Sequence, residues 1–259
     1  MTKILQFLFI GILLISAGPV CAEEAWKEHR GRHFIIYYKD APQGFVKSVE
    51  KAAESYYREI TENLGFTRYK GWTWDDRAEI YIYRDQEDYQ MNSRAASWSH
   101  GAASIRERVI VTFPSAHGFF DSTLPHELGH IIFREFIGVR SPIPAWLDEG
   151  VAMYQEKAKR WGANKRVLQA IEDETFIPLD ELSSMPLSSS TDSETVDLFY
   201  AEAASVVYYM ITELGQFKFV SFCKKLQDGQ GLERALEAAY IRFKSVDDLN
   251  RAWINYLKK

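Results

Sequence analysis

The segment HELGH at residues 126–130 places two histidines four residues apart, with a glutamate directly after the first. On an α-helix, residues four apart lie on one face about one turn apart, so His126 and His130 can hold one cation between them. Glu127 then projects beside that ion. This spacing is typical of helices whose histidines bind Zn²⁺ and whose glutamate acts as general base toward water. The segment therefore predicts a hydrolytic site with one zinc ion.

The sequence around the motif predicts a helix with one buried face, because apolar residues recur at intervals of three and four. These positions are Leu124, Leu128, Ile131, Ile132 and Phe136. Pro125 falls in the first turn, where a missing amide hydrogen costs little, and Gly138 follows the last turn. Asp121 or Ser122 is expected to cap the helix. A surface helix carrying the three polar residues by chance would be less apolar.

Zinc sites in hydrolases usually have three protein ligands and one position open to water, so the motif needs a further donor. In a longer form of this motif, the third ligand is a histidine six residues after His130, and a glycine lies three residues after His130. Those positions hold Phe133 and Phe136. We therefore expect a carboxylate from a second helix.

Glu149 is the candidate for that carboxylate. Pro144 can start a helix, and Glu149 lies three residues after Trp146 and four before Met153, on their apolar face. A carboxylate in such surroundings is costly unless it meets a cation. A bound zinc ion would meet that requirement.

Two other interpretations of this helix stay open in the sequence. Asp148 points about 100° away from Glu149 and is a weaker ligand candidate, but it can accept a hydrogen bond from a zinc-binding histidine. Alternatively, Glu149 forms a salt bridge to an arginine such as Arg134 or Arg140.

HELGH, eighteen intervening residues and Glu149 within PAWLDEGVAMY resemble the gluzincin branch of the peptidase MA superfamily. The chain is most similar to small secreted bacterial peptidase-MA-like metallohydrolases, and the specific part covers residues 121–156. The resemblance implies His126, His130 and Glu149 as ligands of one Zn²⁺ and Glu127 as general base. It also implies an α+β, zincin-like fold of two lobes. A small mixed sheet with helices would form the first lobe, helices would form most of the second, and the active site would lie in the cleft between them.

The resemblance further implies a tyrosine from a later helix that donates a hydrogen bond to the developing oxyanion. We match Tyr200 to it, although Tyr208 and Tyr209 lie on the same predicted helix. The GxMEN segment with which zinc aminopeptidases anchor the substrate amine has no counterpart, the nearest stretch being GAAS at 101–104. The sequence therefore does not support exopeptidase action of that type.

Residues 1–22 have the pattern of a secretory signal peptide: a lysine near the start, an apolar run and small residues before a charged stretch. We expect the mature chain to be 23–259, exported to the periplasm or the extracellular space. Lipid attachment at Cys21 is an alternative, although Pro19 and Val20 fit such a signal poorly, and an uncleaved anchor is another. No later stretch is long and apolar enough to span a bilayer, so no stable membrane span is expected after signal cleavage.

The mature chain is expected to form a single domain with an N-lobe at about 23–118 and a C-lobe at about 119–259. β-Branched and aromatic runs predict three strands, and helical spacing predicts a helix between the first two. These segments are the strands 33–38, 78–83 and 108–113 and the helix 43–64. The C-lobe is predicted to be almost wholly helical, with three core-building helices at its end.

Two segments near the predicted site invite functional interpretations. In zincins, the strand next to the zinc helix often offers an edge to an extended substrate, and 108–113 or 98–104 is the candidate here. The serine-rich stretch 182–192 is predicted to be a loop, either a connection or a lid. Thr191 and Glu194 after it have capping-box spacing and are expected to open the helix that carries Tyr200.

The cysteine count and the net charge limit how the chain can be stabilised and which partners it can bind. The mature chain keeps one cysteine, Cys223, so its stability must come from the core rather than from a disulfide. The formal net charge is −5 and becomes −6 once Lys3 leaves with the signal peptide, which argues against nucleic acid as a partner. We expect a peptide or protein substrate, and the oligomeric state is left open.

The leading hypothesis is a secreted or periplasmic zinc-dependent peptidase that hydrolyses peptide bonds with a metal-activated water and Glu127 as general base. One alternative is a catalytically silent zincin-fold binding or assembly module. Another is a zinc hydrolase of a non-peptide amide, because one scaffold can support different chemistries. The presence of Glu127 favours an enzyme, since a structural zinc site needs no base.

Overall fold

The computed structural model describes residues 25–66, 71–72, 76–93, 101–114, 116–186 and 191–259. The predicted signal peptide lies outside these ranges. Residues 98–100 of one candidate edge segment and 187–190 of the serine-rich stretch lie outside them too. The predicted domain boundaries at 23, 118 and 259 stay predictions.

A five-stranded mixed sheet forms the first part of the described chain, in the order β1-β2-β3-β5-β4. Strand β1 (Lys27–Arg30) runs antiparallel to β2 (Phe34–Tyr38), which is parallel to β3 (Ala78–Ile82). Strand β5 (Val109–Thr112) is parallel to β3 and antiparallel to the edge strand β4 (Gly101–Ser104). The mixed sheet was predicted, but β1 was not.

Side chains alternate between the two faces of this sheet. Ile36, Ile80 and Ile110 lie opposite one another in the register of β2, β3 and β5, and all three are fully buried. Tyr37 and Tyr81, one position further on, are partly exposed. The buried face packs in the same core as helix α1 (Gln43–Leu64), whose bounds were predicted from its apolar spacing. A short helix α2 (Gln86–Asn92) follows β3.

The rest of the described chain is mostly helical, which confirms the α+β, zincin-like prediction. The helices are α3 (Leu124–Ile137), α4 (Ala145–Gln155), α5 (Lys157–Glu172), α6 (Leu179–Ser184), α7 (Ser193–Tyr208), α8 (Gln216–Gln227), α9 (Leu232–Ala239) and α10 (Val246–Leu257). The last three are the predicted core-building helices. Among the described residues, no helix is long and apolar enough to cross a bilayer.

The predicted cap of α3 was wrong. A π-helical turn, Phe119–Thr123, runs directly into α3, and the amides of Ser122 and Thr123 donate to the carbonyl of Gly118. These bonds satisfy amides that a capping side chain was expected to bind. The hydroxyl of Ser122 points elsewhere, toward Glu156.

The loop before α7 also differs from its prediction. Helix α6 includes Leu182–Ser184, so the loop is shorter than 182–192. Asp192, rather than Thr191, is the N-cap of α7, and its carboxylate accepts a hydrogen bond from the amide of Thr195. Aspartate is among the strongest N-cap residues, so the helix starts one residue later than the capping-box spacing indicated.

Two glycines let the helices around the HELGH segment approach one another closely. On α3, a Cβ added to Gly129 would lie 3.0 Å from the Cα of Ala152 on α4. On α4, a Cβ added to Gly150 would overlap the backbone carbonyl of Ala203 on α7. Because both contacts involve backbone, α3, α4 and α7 form a tightly packed unit.

Glu202 on α7 is a fully buried acid. Its Oε1 accepts a hydrogen bond from the amide of Ile177 at 2.9 Å, while Oε2 has no hydrogen-bond partner in the part of the chain that the structure describes. Burial raises the pKa of Glu202 to about 8, against an opposing effect of the Ile177 amide and the Arg166 charge. The carboxyl group is therefore protonated at neutral pH.

We expect the Glu202→Gln variant to lose part of the pH dependence of folding stability. Between the ordinary glutamate pKa of about 4.3 and the folded value of about 8, only the folded chain keeps the proton. The folding stability that this proton contributes is fully present below the pKa of the unfolded chain. It is lost as the pH rises through the pKa of the folded chain. The amide of glutamine has no such titration.

Urea unfolding at about pH 5, 7 and 9 measures this effect. Across that range, the free energy of unfolding of the wild type should fall by a few kcal/mol more than that of the variant, on the order set by the pKa difference. Parallel pH profiles for the two proteins would show that Glu202 titrates normally.

Candidate active site

Helices α3 and α4 bring together the three side chains predicted to bind zinc. His126 and His130 project from α3, and their Nε2 atoms are 3.2 Å apart. The Oε2 atom of Glu149, on α4, lies 3.6 Å from each of these nitrogens. One carboxylate oxygen and two imidazole nitrogens thus form a nearly regular triangle.

The size of this triangle fits a zinc ion. Zinc binds imidazole nitrogen and carboxylate oxygen at about 2.0–2.2 Å with tetrahedral geometry, which separates neighbouring donor atoms by about 3.3–3.5 Å. The observed separations are 3.2 and 3.6 Å. Two nitrogens and one oxygen are also a donor set that zinc takes in hydrolytic sites.

Carboxylates behind the two rings fix which nitrogen faces the centre of the triangle. The Nδ1 of His126 lies 2.8 Å from Oε1 of Glu156, and the Nδ1 of His130 lies 3.2 Å from Oδ1 of Asp148. Because a carboxylate accepts, each Nδ1 can donate its hydrogen to the carboxylate behind the ring, which leaves each Nε2 to offer a lone pair to a bound cation. Both rings are thus oriented with Nε2 toward Glu149, as binding of one shared ion requires, which is a second reason why a metal ion fits.

Glu156 was not found from the sequence. It is 2 % exposed, and the hydroxyl of Ser122 donates to its second oxygen. The sequence did contain a signal, since Glu156 follows Glu149 by seven residues, or two helical turns, and so lies on the same side of α4. Its position just after the last residue of α4 made this relation harder to see.

Of the two roles that the sequence left open for Asp148, the structure shows the acceptor, beside the ring of His130. Arg134 donates to its other oxygen from Nε at 2.9 Å, and a second guanidinium nitrogen lies 2.8 Å from the same oxygen. Arg134 is therefore the partner of Asp148, and in the described structure Glu149 faces the histidines instead. The arginine alternative for Glu149 does not describe this site.

The electrostatics of the site are dominated by acidic groups. Burial raises the pKa of Glu127, with contributions in the same direction from Glu149 and Glu156 and opposite ones from the histidines. Burial alone would lower the pKa of His130, but hydrogen bonds and charges from Asp148 and Glu149 outweigh it and raise the value to about 10. The surroundings of the triangle thus stabilise positive charge.

Tyr200 lines the same cavity as His126 and Glu127, a space of about 570 Å³. Burial raises its pKa, and the negative charges of Glu149 and Glu127 add to the effect, so the phenol keeps its proton at neutral pH. Tyr208 and Tyr209 are not among the described residues that line the cavity; their rings pack against Tyr154 and Tyr256. Of the three tyrosines considered, Tyr200 is the one that faces the site.

The edge strand β4 borders the cavity. Gly101, its first residue, lines the cavity together with Thr123, and a Cβ at Gly101 would lie 2.6 Å from Cγ2 of Thr123. Of the two candidate edge segments, 98–104 contains this strand. The other, 108–113, contains β5, which is paired on both sides and is therefore not an edge.

Fold and site together define a zincin-like protein with two histidines on one helix and a glutamate on the next. Residues 66–259, about three quarters of the chain, match the family model of the peptidase MA superfamily. The chain belongs to this superfamily. Membership supports a zinc metallopeptidase-type function, with peptides or proteins as the implied substrates.

The fold is similar to that in the structure of native yeast LTA4 hydrolase, with a TM-score of 0.52 and 13% sequence identity. The match covers 88% of this chain but 39% of the yeast chain, so this chain corresponds to about two fifths of that protein. At such low identity the likeness concerns the fold. Comparison with curated proteins gave no match.

We expect Glu156→Gln to weaken zinc binding about 10- to 100-fold, because the amide removes the negative charge that holds the ring of His126 and increases its basicity. Competition with a chromogenic chelator measures the affinity. Glu149→Ala should weaken binding further, since it removes a donor atom of the triangle.

Glu202→Gln is the matched control for this measurement, because Glu202 is an equally buried acid whose hydrogen-bond partner is the amide of Ile177. It should keep wild-type zinc affinity. If Glu156→Gln bound zinc as tightly as this control, the role assigned to Glu156 would be wrong.

Proposed function

We propose that the protein is an exported zinc metallopeptidase in which His126, His130 and Glu149 hold one Zn²⁺ and Glu127 is the general base. The observation that carries this proposal is the triangle of donor atoms, with separations of 3.2 and 3.6 Å, beside a glutamate that lines the cavity. Membership in the peptidase MA superfamily supports the same reading. Export rests on the signal-peptide pattern of residues 1–22.

Zinc in such a site supplies Lewis-acid polarisation of a carbonyl and lowers the pKa of water. Glu127 follows His126 on α3 and is half-buried, so its carboxylate can take a proton from the attacking water and later give it to the leaving amine. Tyr200 reaches the cavity from α7 and can donate its phenolic hydrogen to the oxyanion that develops on the carbonyl.

The edge strand β4 supports a peptide rather than a small amide as substrate. It is one edge of the described sheet and contacts α3, with Gly101 and Thr123 at the cavity wall. An extended peptide can align with such a strand through main-chain hydrogen bonds, which places one of its carbonyls near the metal-binding helix.

We expect Glu127→Gln to retain zinc but to reduce peptide hydrolysis by at least about 10²-fold, the usual contribution of a general base. Metal analysis and mass spectrometry of a broad peptide library, with wild type and variant compared, measure both quantities. Glu233→Gln, an exposed glutamate on α9, is the matched control and should behave like the wild type.

The same measurement separates the proposal from its alternatives. Wild-type protein that holds zinc but cleaves no peptide would favour a binding module. Cleavage of small amides without cleavage of any peptide would favour a hydrolase of non-peptide amides. Hydrolysis by Glu127→Gln at the wild-type rate would remove Glu127 as the base.

Tyr200→Phe is expected to lower kcat about 10²- to 10³-fold with little change in KM, because the lost hydrogen bond forms mainly in the transition state. Steady-state kinetics on a peptide found in the library screen measure this. Tyr208→Phe removes a hydroxyl from the same helix outside the described cavity lining and is the control. Equal kcat values for the two variants would exclude Tyr200 as the oxyanion donor.

A further inference from the structure

The cavity beside the metal-binding triangle extends to helix α5. Its walls include the largely buried, uncharged side chains of Met153, Ala163 and Ala204, and Arg166 from α5. Among the described residues that line it, Arg166 is the one with a permanent positive charge. Its volume, about 570 Å³, lies within the range of small-molecule and peptide side-chain sites.

The positive charge of Arg166 is poorly neutralised by the residues that the structure describes. Its ion pair in the described structure is with Glu194, at 3.7 Å, and the side chain of Glu194 is 86% exposed. Such exposed pairs contribute little, because water screens both charges and the long side chains remain mobile. Arg166 itself is half-buried, so its charge is less screened on the cavity side.

Two further acids lie near Arg166, and neither is a strong counter-ion. Glu202 interacts with its charge, but burial raises the pKa of Glu202 to about 8, so this carboxyl is neutral at pH 7. Asp197 on α7 lines the same cavity, but it is exposed and forms no ion pair with Arg166 within 4.0 Å. A guanidinium group is thus left available on the wall of the cavity.

We propose that Arg166 determines substrate specificity by binding a carboxylate of the peptide, so that the enzyme prefers substrates with an acidic group near the scissile bond. This inference rests on the proposed peptidase function. Guanidinium matches the planar geometry of a carboxylate and can bind it through two parallel hydrogen bonds. The uncharged side chains of Met153, Ala163 and Ala204 in the same cavity favour that interaction, because charges attract more strongly in less polar surroundings.

The carboxylate can come from an acidic side chain or from the C-terminus of the peptide. The first experiment therefore starts from one peptide that the enzyme cleaves and makes two comparisons. One compares glutamate with glutamine at each position around the scissile bond, and the other compares a free with an amidated C-terminus. We expect the wild type to prefer the carboxylate in one of these comparisons by about tenfold in kcat/KM. The comparison that shows the preference identifies the source.

Substitution of Arg166 then tests the assignment. Arg166→Gln should reduce the tenfold preference to about one, and Arg166→Lys should retain part of it, because lysine keeps the charge without the planar fork. Arg251→Gln replaces an exposed arginine on α10 and is the matched control. Thermal melting of each variant checks that the fold is intact.

Binding provides a second readout that does not need turnover. The dissociation constants of the same peptides are measured with Glu127→Gln and with the double variant Glu127→Gln/Arg166→Gln, by fluorescence anisotropy. Loss of the carboxylate preference only in the double variant supports the proposal. Equal preferences in both proteins, or no preference in the first, would overturn it.

The two readouts also separate this inference from the proposed function. If the wild type cleaves no peptide but Arg166 still governs carboxylate binding, the peptidase proposal fails and the specificity site stands. If peptides are cleaved and Arg166→Gln keeps the wild-type preference, the peptidase proposal stands and the specificity site fails.

Discussion

The contact between α3 and α4 is the constraint on which the candidate site depends. Neither helix alone supplies three candidate ligands: α3 gives two nitrogens and α4 gives one oxygen, and the donor atoms must come within about 3.5 Å of one another to share an ion. Gly129 makes this possible, because its missing side chain lets the backbone of Ala152 approach. The glycine inside the HELGH segment therefore has a packing role in addition to the chemistry of its neighbours.

A second consequence of this contact is a concentration of acids. Glu127, Glu149, Glu156 and Asp148 are all partly or fully buried around two histidines, and Arg134 forms an ion pair with Asp148. Buried carboxylates without a counter-charge are costly. The hydroxyl of Ser122 and the ring of His126 donate to Glu156, whereas Glu149 faces the two histidines and Glu127 lines the cavity. A divalent cation would neutralise both, which is why the geometry and the charge lead to the same conclusion.

The sequence predicted the parts of the site that depend on local spacing. Four-residue spacing placed His126 and His130 on one face, and the apolar neighbours of Glu149 placed it on the inner face of α4. Features that depend on contacts between distant segments were harder to predict. Strand β1 reads KEHR and has no apolar alternation, and β4 reads GAAS, without the β-branched residues that identify strands. Both are strands because the neighbouring strands pair with them.

Helix α7 connects the metal-binding triangle to the rest of the cavity. Its backbone at Ala203 packs against Gly150, directly after Glu149, and Asp197, Tyr200, Ala201 and Ala204, spaced by three and four residues, line the cavity. Glu202 lies on another face of α7, where its carboxyl group accepts a hydrogen bond from the amide of Ile177. The position of Tyr200 relative to Glu149 is thus set by backbone-to-backbone packing of two helices, which deforms far less readily than a loop. This rigidity suits the role proposed for Tyr200, because a donor to an oxyanion must already be in place when the charge develops.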